Sequence, residues 1–244
     1  MPVHRLVTTR EGGVSSPPFA TLNLGDHVGD DPRAVAENRR RVAARVGLPV
    51  DRVRYLCQVH GAGVAVADGP DGGLEGGPGG GPDDGPPRAD ALVTAAPGLA
   101  VAVLVADCAP VLLADPERGV VGAVHAGRAG LVAGVLPAAL ARMTELGART
   151  SRLRAWVGPT VCAGCYEVPA ALREEVAAVV PAAWAHSHSG TPAVDLRAGL
   201  VAELHRHGVD AVEVDPTCPR EDPAYYSYRR DGVTGRFAAL VWCA

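Results

Sequence analysis

The chain has 244 residues, 48% hydrophobic and 20% charged, with a net charge of −4. This composition is typical of a globular protein with a substantial core, and the negative charge argues against a nucleic-acid-binding surface, which needs a basic patch. All 23 basic residues are arginine, so mechanisms that need a catalytic or phosphate-binding lysine are excluded. No segment reaches the roughly 18 consecutive apolar residues of a membrane span. The N-terminus lacks the apolar core of a signal peptide, so we expect a cytoplasmic protein with reduced cysteines.

Strand and helix patterns are mixed along the whole chain. Asp31 and Pro32 suit the N-cap and first position of a helix, and the turn at 115–119 predicts a hairpin. Strands are predicted at 5–9, 53–59, 62–67, 91–94, 99–106, 111–114, 120–124, 153–157 and 237–242, and helices at 31–46, 129–147, 169–180 and 196–207. The pattern predicts one α/β or α+β domain over residues 1–244 with mixed sheets. No G-x-G-x-x-G motif follows a strand, which disfavours a dinucleotide-binding fold.

Residues 68–88 differ from the rest of the chain because they are almost entirely Gly, Pro, Asp and Glu. Such a segment cannot bury enough apolar area to offset its ordering entropy. It is predicted to be a flexible surface loop, with a role as a lid as the less favoured alternative.

Three short motifs carry potential metal ligands at the ends of apolar runs: His60, Cys108 and His125. The predicted hairpin brings Cys108 and His125 close together. Two imidazoles and one thiolate can bind zinc and leave a fourth position open, as catalytic zinc sites do. A Cys–His nucleophile pair and a purely structural role are the alternatives that the residues leave open.

Cys162 and Cys165 form a C-x-x-C pair. Because no second pair lies at a suitable spacing, this pair is predicted not to be a metal site.

A series of motifs in fixed order resembles the multicopper polyphenol oxidase, or laccase-domain, family, whose members are now described as purine nucleoside phosphorylases. The resemblance covers nearly the whole chain apart from residues 68–88. The matching motifs are 8–15, 23–25, 27–31, 38–39, 58–61, 89–94, 106–111, 124–127, 165–168 and 227–230.

The resemblance implies a fold, a metal and an activity. The fold would be one domain of mixed β-sheets flanked by helices, similar to a cysteine-hydrolase toxin fold. The metal would be Zn²⁺, with Cu²⁺ possible, on His60, Cys108 and His125. The activity would be phosphorolysis of adenosine, inosine and methylthioadenosine, together with deamination of adenosine. The expected partners are therefore a purine nucleoside and phosphate, with no nucleic acid and no membrane.

Phosphorolysis also requires a cationic phosphate site, for which the arginine fork is well suited. The candidate phosphate-binding residues are Arg10, Arg128, Arg229 and Arg230. Asn23 and Gln58 are candidates for hydrogen bonds to the base or ribose. Asp107 is expected either to orient a ligand or to cap a turn.

The family usually reads His-Ala-Gly-Trp-Arg-Gly where this chain has His125-Ala126-Gly127-Arg128-Ala129-Gly130. Arg128 is therefore expected to replace the usual arginine from one position earlier, or the activity is altered.

Three rival functions remain. A copper-dependent polyphenol oxidase is disfavoured because an electron-transfer chain of several coppers needs many histidines in Cys-His runs, and the chain has eight histidines without such runs. A Cys–His hydrolase or amidase would use Cys108 as nucleophile and His125 as base. A non-catalytic binding role is the third.

Overall fold

The computed structural model of the protein describes residues 1–67, 74–75 and 86–244. The predicted loop at 68–88 therefore lies outside the described residues, apart from 74–75 and 86–88. Its described strands form a seven-stranded sheet, a four-stranded sheet and a separate two-stranded hairpin. Both large sheets contain parallel and antiparallel pairs.

The strands are β1 (Val3–Val7), β2 (Val53–Arg54), β3 (Val64–Ala67), β4 (Leu74–Glu75), β5 (Ala91–Thr94), β6 (Ala100–Val105), β7 (Ala109–Asp115), β8 (Val120–Ala126), β9 (Arg154–Val157), β10 (Trp184–His186), β11 (Pro192–Val194), β12 (Ala211–Val214) and β13 (Phe237–Cys243). The helices are α1 (Pro32–Arg45), α2 (Arg128–Ala133), α3 (Val135–Glu145), α4 (Ala170–Val179), α5 (Leu196–Arg206) and α6 (Tyr228–Asp231). The larger sheet has the strand order β12-β9-β7-β8-β5-β3-β4, the second has the order β1-β13-β6-β2, and β10 pairs with β11 in the hairpin. No described helix is long and apolar enough to cross a membrane.

The two large sheets pack face to face, with helices on their outer faces. Alternate residues of β7 show this arrangement. Leu112 faces a cluster shared with the four-stranded sheet, whereas Leu113 faces the cluster built with α3 and α5. A third cluster, which includes Val42 of α1, covers the other side of the four-stranded sheet. The predicted mixed α/β architecture is therefore confirmed, and strands buried on both faces explain the continuous apolar runs in the sequence.

Helix α1 begins as the sequence predicts. The Asp31 side chain accepts a hydrogen bond from the Arg33 N–H, and Pro32 is the first helical residue. The predicted hairpin is also present, with β7 and β8 paired along their whole length.

The single helix predicted at 129–147 is wrong, because the chain forms α2 and α3 separated by Gly134. Gly134 adopts a left-handed conformation with φ of 82°. Pro137 has no N–H and would clash with the carbonyl of residue 133 in a continuous helix. Glycine and proline together therefore break the helix, a signal that the sequence already contained.

The strand predicted at 53–59 is shorter than expected and consists only of Val53–Arg54. The Gln58 side chain replaces it beside β6, since its amide donates to the Leu104 carbonyl and accepts from the Leu104 N–H, both at 2.7 Å. The Gln58 side chain thus makes the two hydrogen bonds that a neighbouring strand would make with Leu104. The backbone at Gln58 can therefore leave the sheet and turn toward His60.

Candidate metal centre and adjoining cavity

His60, Cys108 and His125 come together at the edge where the two large sheets meet. His60 lies in the loop between β2 and β3, and its φ of 61° turns the backbone sharply. Cys108 lies in the short link that carries the chain from β6 in one sheet to β7 in the other. His125 lies near the end of β8, where Pro110 is its partner in the hairpin. The register of this hairpin therefore places Cys108 beside His125, as the sequence predicts.

The three side chains have the separations that a metal ion needs. One ligand atom from each lies within 4.8 Å of the others, and the Cys108 Sγ is 3.9 Å from the His60 Nε2. Sulfur and nitrogen ligands of a tetrahedral zinc ion are roughly 3.5 Å apart, given the usual Zn–S and Zn–N bond lengths. The two imidazole rings meet edge to face with centroids 4.7 Å apart. The donor set therefore fits zinc after only a small inward movement.

Asp90 holds two of these ligands in place from behind. It is fully buried, and its Oδ1 accepts a 2.8 Å hydrogen bond from the His125 Nδ1. The same carboxylate accepts the backbone N–H groups of His60 and Gly61, at 2.9 and 2.6 Å. Metal-binding histidines usually have such a carboxylate behind the ring, where it fixes the tautomer. Asp90 thus leaves the His125 Nε2 for the metal centre.

The charges of the centre favour a thiolate. Burial acts against the charged form of Cys108, but the attraction of His125 and hydrogen bonds with both imidazoles outweigh it and lower the pKa of Cys108 to about 6. Burial likewise opposes the charged form of His125, but the Cys108 thiolate and Asp90 together raise the pKa of His125 to about 9. A thiolate is the form that binds metals and also the form that acts as a nucleophile.

Gly127 gives the centre the space it needs. A Cβ at this position would lie 2.9 Å from the Cys108 Sγ and 3.3 Å from the His60 Cδ2, so any larger residue presses directly on two of the three ligands.

We expect Gly127→Ala to weaken zinc binding by about 10- to 100-fold, the range seen when ligand positioning is disturbed, while the protein stays folded. Competition with a chelating dye measures the affinity, and circular dichroism measures the fold. Gly63→Ala is the matched control, since its Cβ would make only ordinary contacts at 3.5 Å or more. Equal zinc affinity in the two variants would contradict the predicted contact.

Asp107 caps a turn, which was one of its two expected roles. Its φ is 90°, and its carboxylate accepts from the Ser227 hydroxyl and the Arg229 N–H, both at 2.7 Å. These contacts fix the start of α6 beside Cys108.

A cavity of about 340 Å³ opens onto the three ligands. This volume lies within the usual range for small-molecule sites. Aromatic and basic residues line it together with the metal ligands, and its polar and aromatic walls include His27, Gln58, Tyr166, Tyr228, Arg229 and Arg236. The two arginines and two tyrosines of this lining thus suit an anionic or aromatic ligand.

The predicted substrate-binding residues differ in where they lie. Gln58 and Arg229 line the cavity, whereas Arg10, Asn23 and Arg128 do not. The Arg10 Nε donates to the Ala20 carbonyl at 2.9 Å, and its guanidinium lies over the Tyr226 ring. Asn23 is fully buried. The structure thus places Arg10 and Asn23 in the packing of the N-terminal loops.

The fully buried Asn23 has a structural task. Its side chain accepts from the Gly25 and Arg236 N–H groups and donates to the Gly25 carbonyl and Asp30. It therefore joins the N-terminal loop to the segment before β13 and positions Arg236, which lines the cavity.

The other two arginines also have different surroundings. Arg128 is the first residue of α2, one position before the predicted helix start, but this helix has only six residues, so its dipole offers little to an anion. The Arg230 guanidinium donates to the carbonyls of Pro219, Asp222 and Tyr225 and so acts as a clamp within its own loop.

Asp90 and Arg236 are the important residues that sequence reasoning missed. Asp90 directly precedes the apolar strand β5 (Ala91–Thr94). An acidic residue beside a buried strand indicates a buried charge, so the sequence contained a signal for Asp90. Arg236 was not detectable, because its position at the cavity depends on the pairing of β13 with the rest of the sheet.

Comparison with known proteins gives a consistent result over the full chain. The profile of the family described as multi-copper polyphenol oxidoreductase laccase matches residues 4–244. A Streptomyces coelicolor protein named purine nucleoside phosphorylase is 54% identical over 235 residues, which cover 96% of this chain and 93% of the relative. A Mycobacterium tuberculosis protein with the same name is 51% identical over 240 residues, which cover 98% of this chain and 92% of the relative.

Solved structures show the same fold. A Neisseria meningitidis protein superposes with a TM-score of 0.85 at 38% identity, covering 99% of this chain and 94% of that one. A Geobacillus stearothermophilus protein superposes with a TM-score of 0.88 at 31% identity, covering 99% and 92%.

Proposed function

Because the chain belongs to the multi-copper polyphenol oxidoreductase laccase family, we propose that it is a metal-dependent purine nucleoside phosphorylase. Its substrates would be adenosine, inosine and methylthioadenosine with phosphate, and it would also deaminate adenosine. The observation that carries this proposal is the cluster of His60, Cys108 and His125 at the wall of a cavity that also contains two arginines and two tyrosines. The names of the relatives point in the same direction.

His60, Cys108 and His125 would hold the metal, and the donor set suits Zn²⁺. When bound, zinc would supply Lewis acidity and lower the pKa of a water molecule for deamination. Two imidazoles and a thiolate also suit copper. However, among the described residues only two groups are close enough to hold a metal, and only this one contains histidines. That arrangement supports a single histidine-containing centre over the series of histidine-bound coppers that a multicopper oxidase needs.

Arg229 and Arg236 would bind the phosphate. The Arg236 Nη1 donates to the carbonyls of Thr234 and Gly235, whereas its Nη2 and Nε make no hydrogen bond to the described part of the chain. The Arg229 Nη1 donates to the Glu167 carbonyl at 3.0 Å, and its guanidinium stacks on the Tyr166 ring at 4.4 Å. Each guanidinium thus keeps part of its fork for phosphate oxygens.

The two tyrosines provide an aromatic surface for the base. Tyr228 lines the cavity and is 62% exposed, so much of its side chain is accessible to a ligand. A purine on this surface would place its ribose between the base and the phosphate near the arginines. Fixed charges there would stabilise the oxocarbenium-like sugar that forms as the bond to the base breaks.

We expect Arg236→Ala to raise the KM for phosphate by about 10- to 100-fold, because a hydrogen bond to a charged group contributes about 1.5–3 kcal/mol. Steady-state kinetics at saturating nucleoside measures this change. Arg128→Ala tests the expectation from the sequence that Arg128 binds phosphate, and its effect should be smaller because it lies outside the cavity lining. Arg40→Ala on the exposed face of α1 is the control. A larger effect at Arg128 than at Arg236 would move the phosphate site toward α2.

The proposed reaction is tested by its dependence on phosphate. Purified zinc-loaded protein should release hypoxanthine from inosine only when phosphate is present, with ribose 1-phosphate formed in equal amount. Adenosine without phosphate should give inosine. Base release that is equally fast without phosphate would identify a nucleoside hydrolase instead, and phenol oxidation by copper-loaded protein without nucleoside cleavage would favour the oxidase.

A Cys–His hydrolase or amidase is the second candidate, because Asp90, His125 and Cys108 form a base–nucleophile arrangement with an orienting carboxylate. Such a pair does not need His60, whereas metal binding does. Amidase activity in metal-free protein that survives His60→Ala but not Cys108→Ala would support this alternative.

A further inference from the structure

A second cluster of metal-binding side chains lies away from the histidines. Cys162 precedes and Cys165 ends a single helical turn after β9, and Cys218 and Glu221 lie in the loop after β12. One ligand atom from each of these four residues lies within 4.8 Å of the others. The sequence argument against a metal at the C-x-x-C pair rested on the lack of a second pair at a suitable spacing. The fold supplies the two missing ligands from a segment more than fifty residues later.

We propose that Cys162, Cys165, Cys218 and Glu221 form a structural zinc site. Thiolates and a carboxylate are ligands that zinc accepts, and four protein ligands close the coordination shell, as is typical of structural sites. Sulfur ligands of a tetrahedral zinc ion are roughly 3.8 Å apart, so the cluster needs only a small contraction to bind the ion.

The contacts within the cluster show that its side chains converge on one point. The Cys165 and Cys162 thiols donate to the same Glu221 oxygen, at 3.2 and 3.8 Å. The Cys162 N–H donates to the Cys218 Sγ at 3.4 Å. Cys165 and Cys218 are buried, Cys162 is half-buried and Glu221 is exposed. A zinc ion would therefore enter from the side of Glu221 and be covered by the thiols.

His188 supports the carboxylate of the cluster. Its Nε2 lies 3.2 Å from the same Glu221 oxygen, and its backbone N–H donates to the Gly164 carbonyl at 3.0 Å. The ring fits against Gly164, where a Cβ would lie 2.2 Å from the Nε2. Carboxylates that bind a metal are themselves held by hydrogen bonds from outer partners, so His188 would be a positioning residue.

The site would join the two segments that carry one wall of the cavity. Val161 and Tyr166 lie next to Cys162 and Cys165 in sequence, and both line the cavity. Tyr228 and Arg229 follow the loop of Cys218 and Glu221 and line it too. Zinc would link these segments and fix the position of the aromatic and cationic wall without touching the substrate.

The test is the zinc content of the full chain, purified and reconstituted with zinc under reducing conditions. Wild type should bind two equivalents, and both Cys218→Ser and His60→Ala should bind one, each losing a different ion. The double variant should bind none, and Cys243→Ser, which removes a buried thiol elsewhere, should match wild type. His60→Ala protein that binds no zinc would overturn the proposal. If the His60, Cys108 and His125 centre binds no zinc, wild type should still hold one ion, and Cys218→Ser but not His60→Ala should remove it. Failure of the proposed function and failure of this inference therefore give different results.

A second measurement uses wild type and does not depend on variants that fold. Zinc should slow alkylation of Cys162, Cys165 and Cys218, mapped by peptide mass spectrometry, and should leave Cys57 unaffected. His188→Ala should weaken zinc retention at this site during chelator treatment while leaving the other ion in place. Alkylation at equal rates with and without zinc, or a disulfide between Cys162 and Cys165 in the protein as isolated, would overturn the proposal.

Discussion

Cys108→Ser is expected to lower kcat/KM for phosphorolysis by roughly a thousandfold and to remove the metal from the His60 centre. A Lewis-acid metal contributes several kcal/mol to transition-state stabilisation, and each 1.4 kcal/mol is about tenfold in rate. Serine keeps the size of the side chain but lacks the thiolate that the two imidazoles stabilise. Elemental analysis and steady-state kinetics on inosine with phosphate measure both losses.

The matched control is Cys57→Ser, which removes an exposed thiol three residues from His60 and should leave metal and activity unchanged. His60→Ala and His125→Ala should resemble Cys108→Ser. If all three variants kept their zinc in full, the metal centre would be disproved. If they lost zinc but kept phosphorolysis, the metal would have only a structural role.

Asp90→Asn is expected to lower the free energy of unfolding by about 2–3 kcal/mol. The N–H groups that donate to a charged carboxylate in wild type would face a neutral amide in the variant. It should also weaken zinc binding by about 10- to 100-fold through loss of the carboxylate behind His125. Chemical denaturation measures the stability, and chelator competition measures the affinity.

The effect on stability should depend on pH. Burial acts against the charged form of Asp90, but hydrogen bonds from His125, Gly61 and His60 outweigh it and hold the pKa of Asp90 below the ordinary value of 3.8. A lowered pKa in the folded protein means that this contribution is fully present above the ordinary value and is lost as the pH falls through the folded pKa. The difference between wild type and Asp90→Asn should therefore shrink in strong acid.

Asp115→Asn is the matched control for Asp90→Asn. Asp115 is also fully buried and accepts backbone N–H groups of Glu117, Arg118 and Arg149, but it lies at the opposite end of the β7–β8 hairpin. The Asp115→Asn variant should be less stable than wild type but should bind zinc with the same affinity. Equal loss of zinc affinity in both variants would show that the effect of Asp90→Asn comes from general destabilisation.

The sequence by itself determined the features that depend on local chemistry. The apolar runs of β6, β7 and β8 predicted buried strands, the 115–119 turn predicted their hairpin, and Asp31 with Pro32 predicted the start of α1. The hairpin also brought Cys108 and His125 together, because its register is set by a short turn and two continuous apolar strands. The break at Gly134 was readable in the same way and was missed because the apolar pattern continues across it.

Only the tertiary structure decided which distant residues share a site. Asn23 and Arg10 have the chemistry to bind a substrate, but neither lines the cavity. The Asn23 side chain is buried in hydrogen bonds to Gly25 and Arg236, and Arg10 packs against the Ala20 carbonyl and the Tyr226 ring. Arg236 reaches the cavity because β13 pairs with β6, and Cys218 joins Cys162 because the loop after β12 folds over the turn that follows β9. Residue type and spacing determine what a side chain can do, whereas the partners it meets depend on long-range strand pairing, which local sequence does not encode.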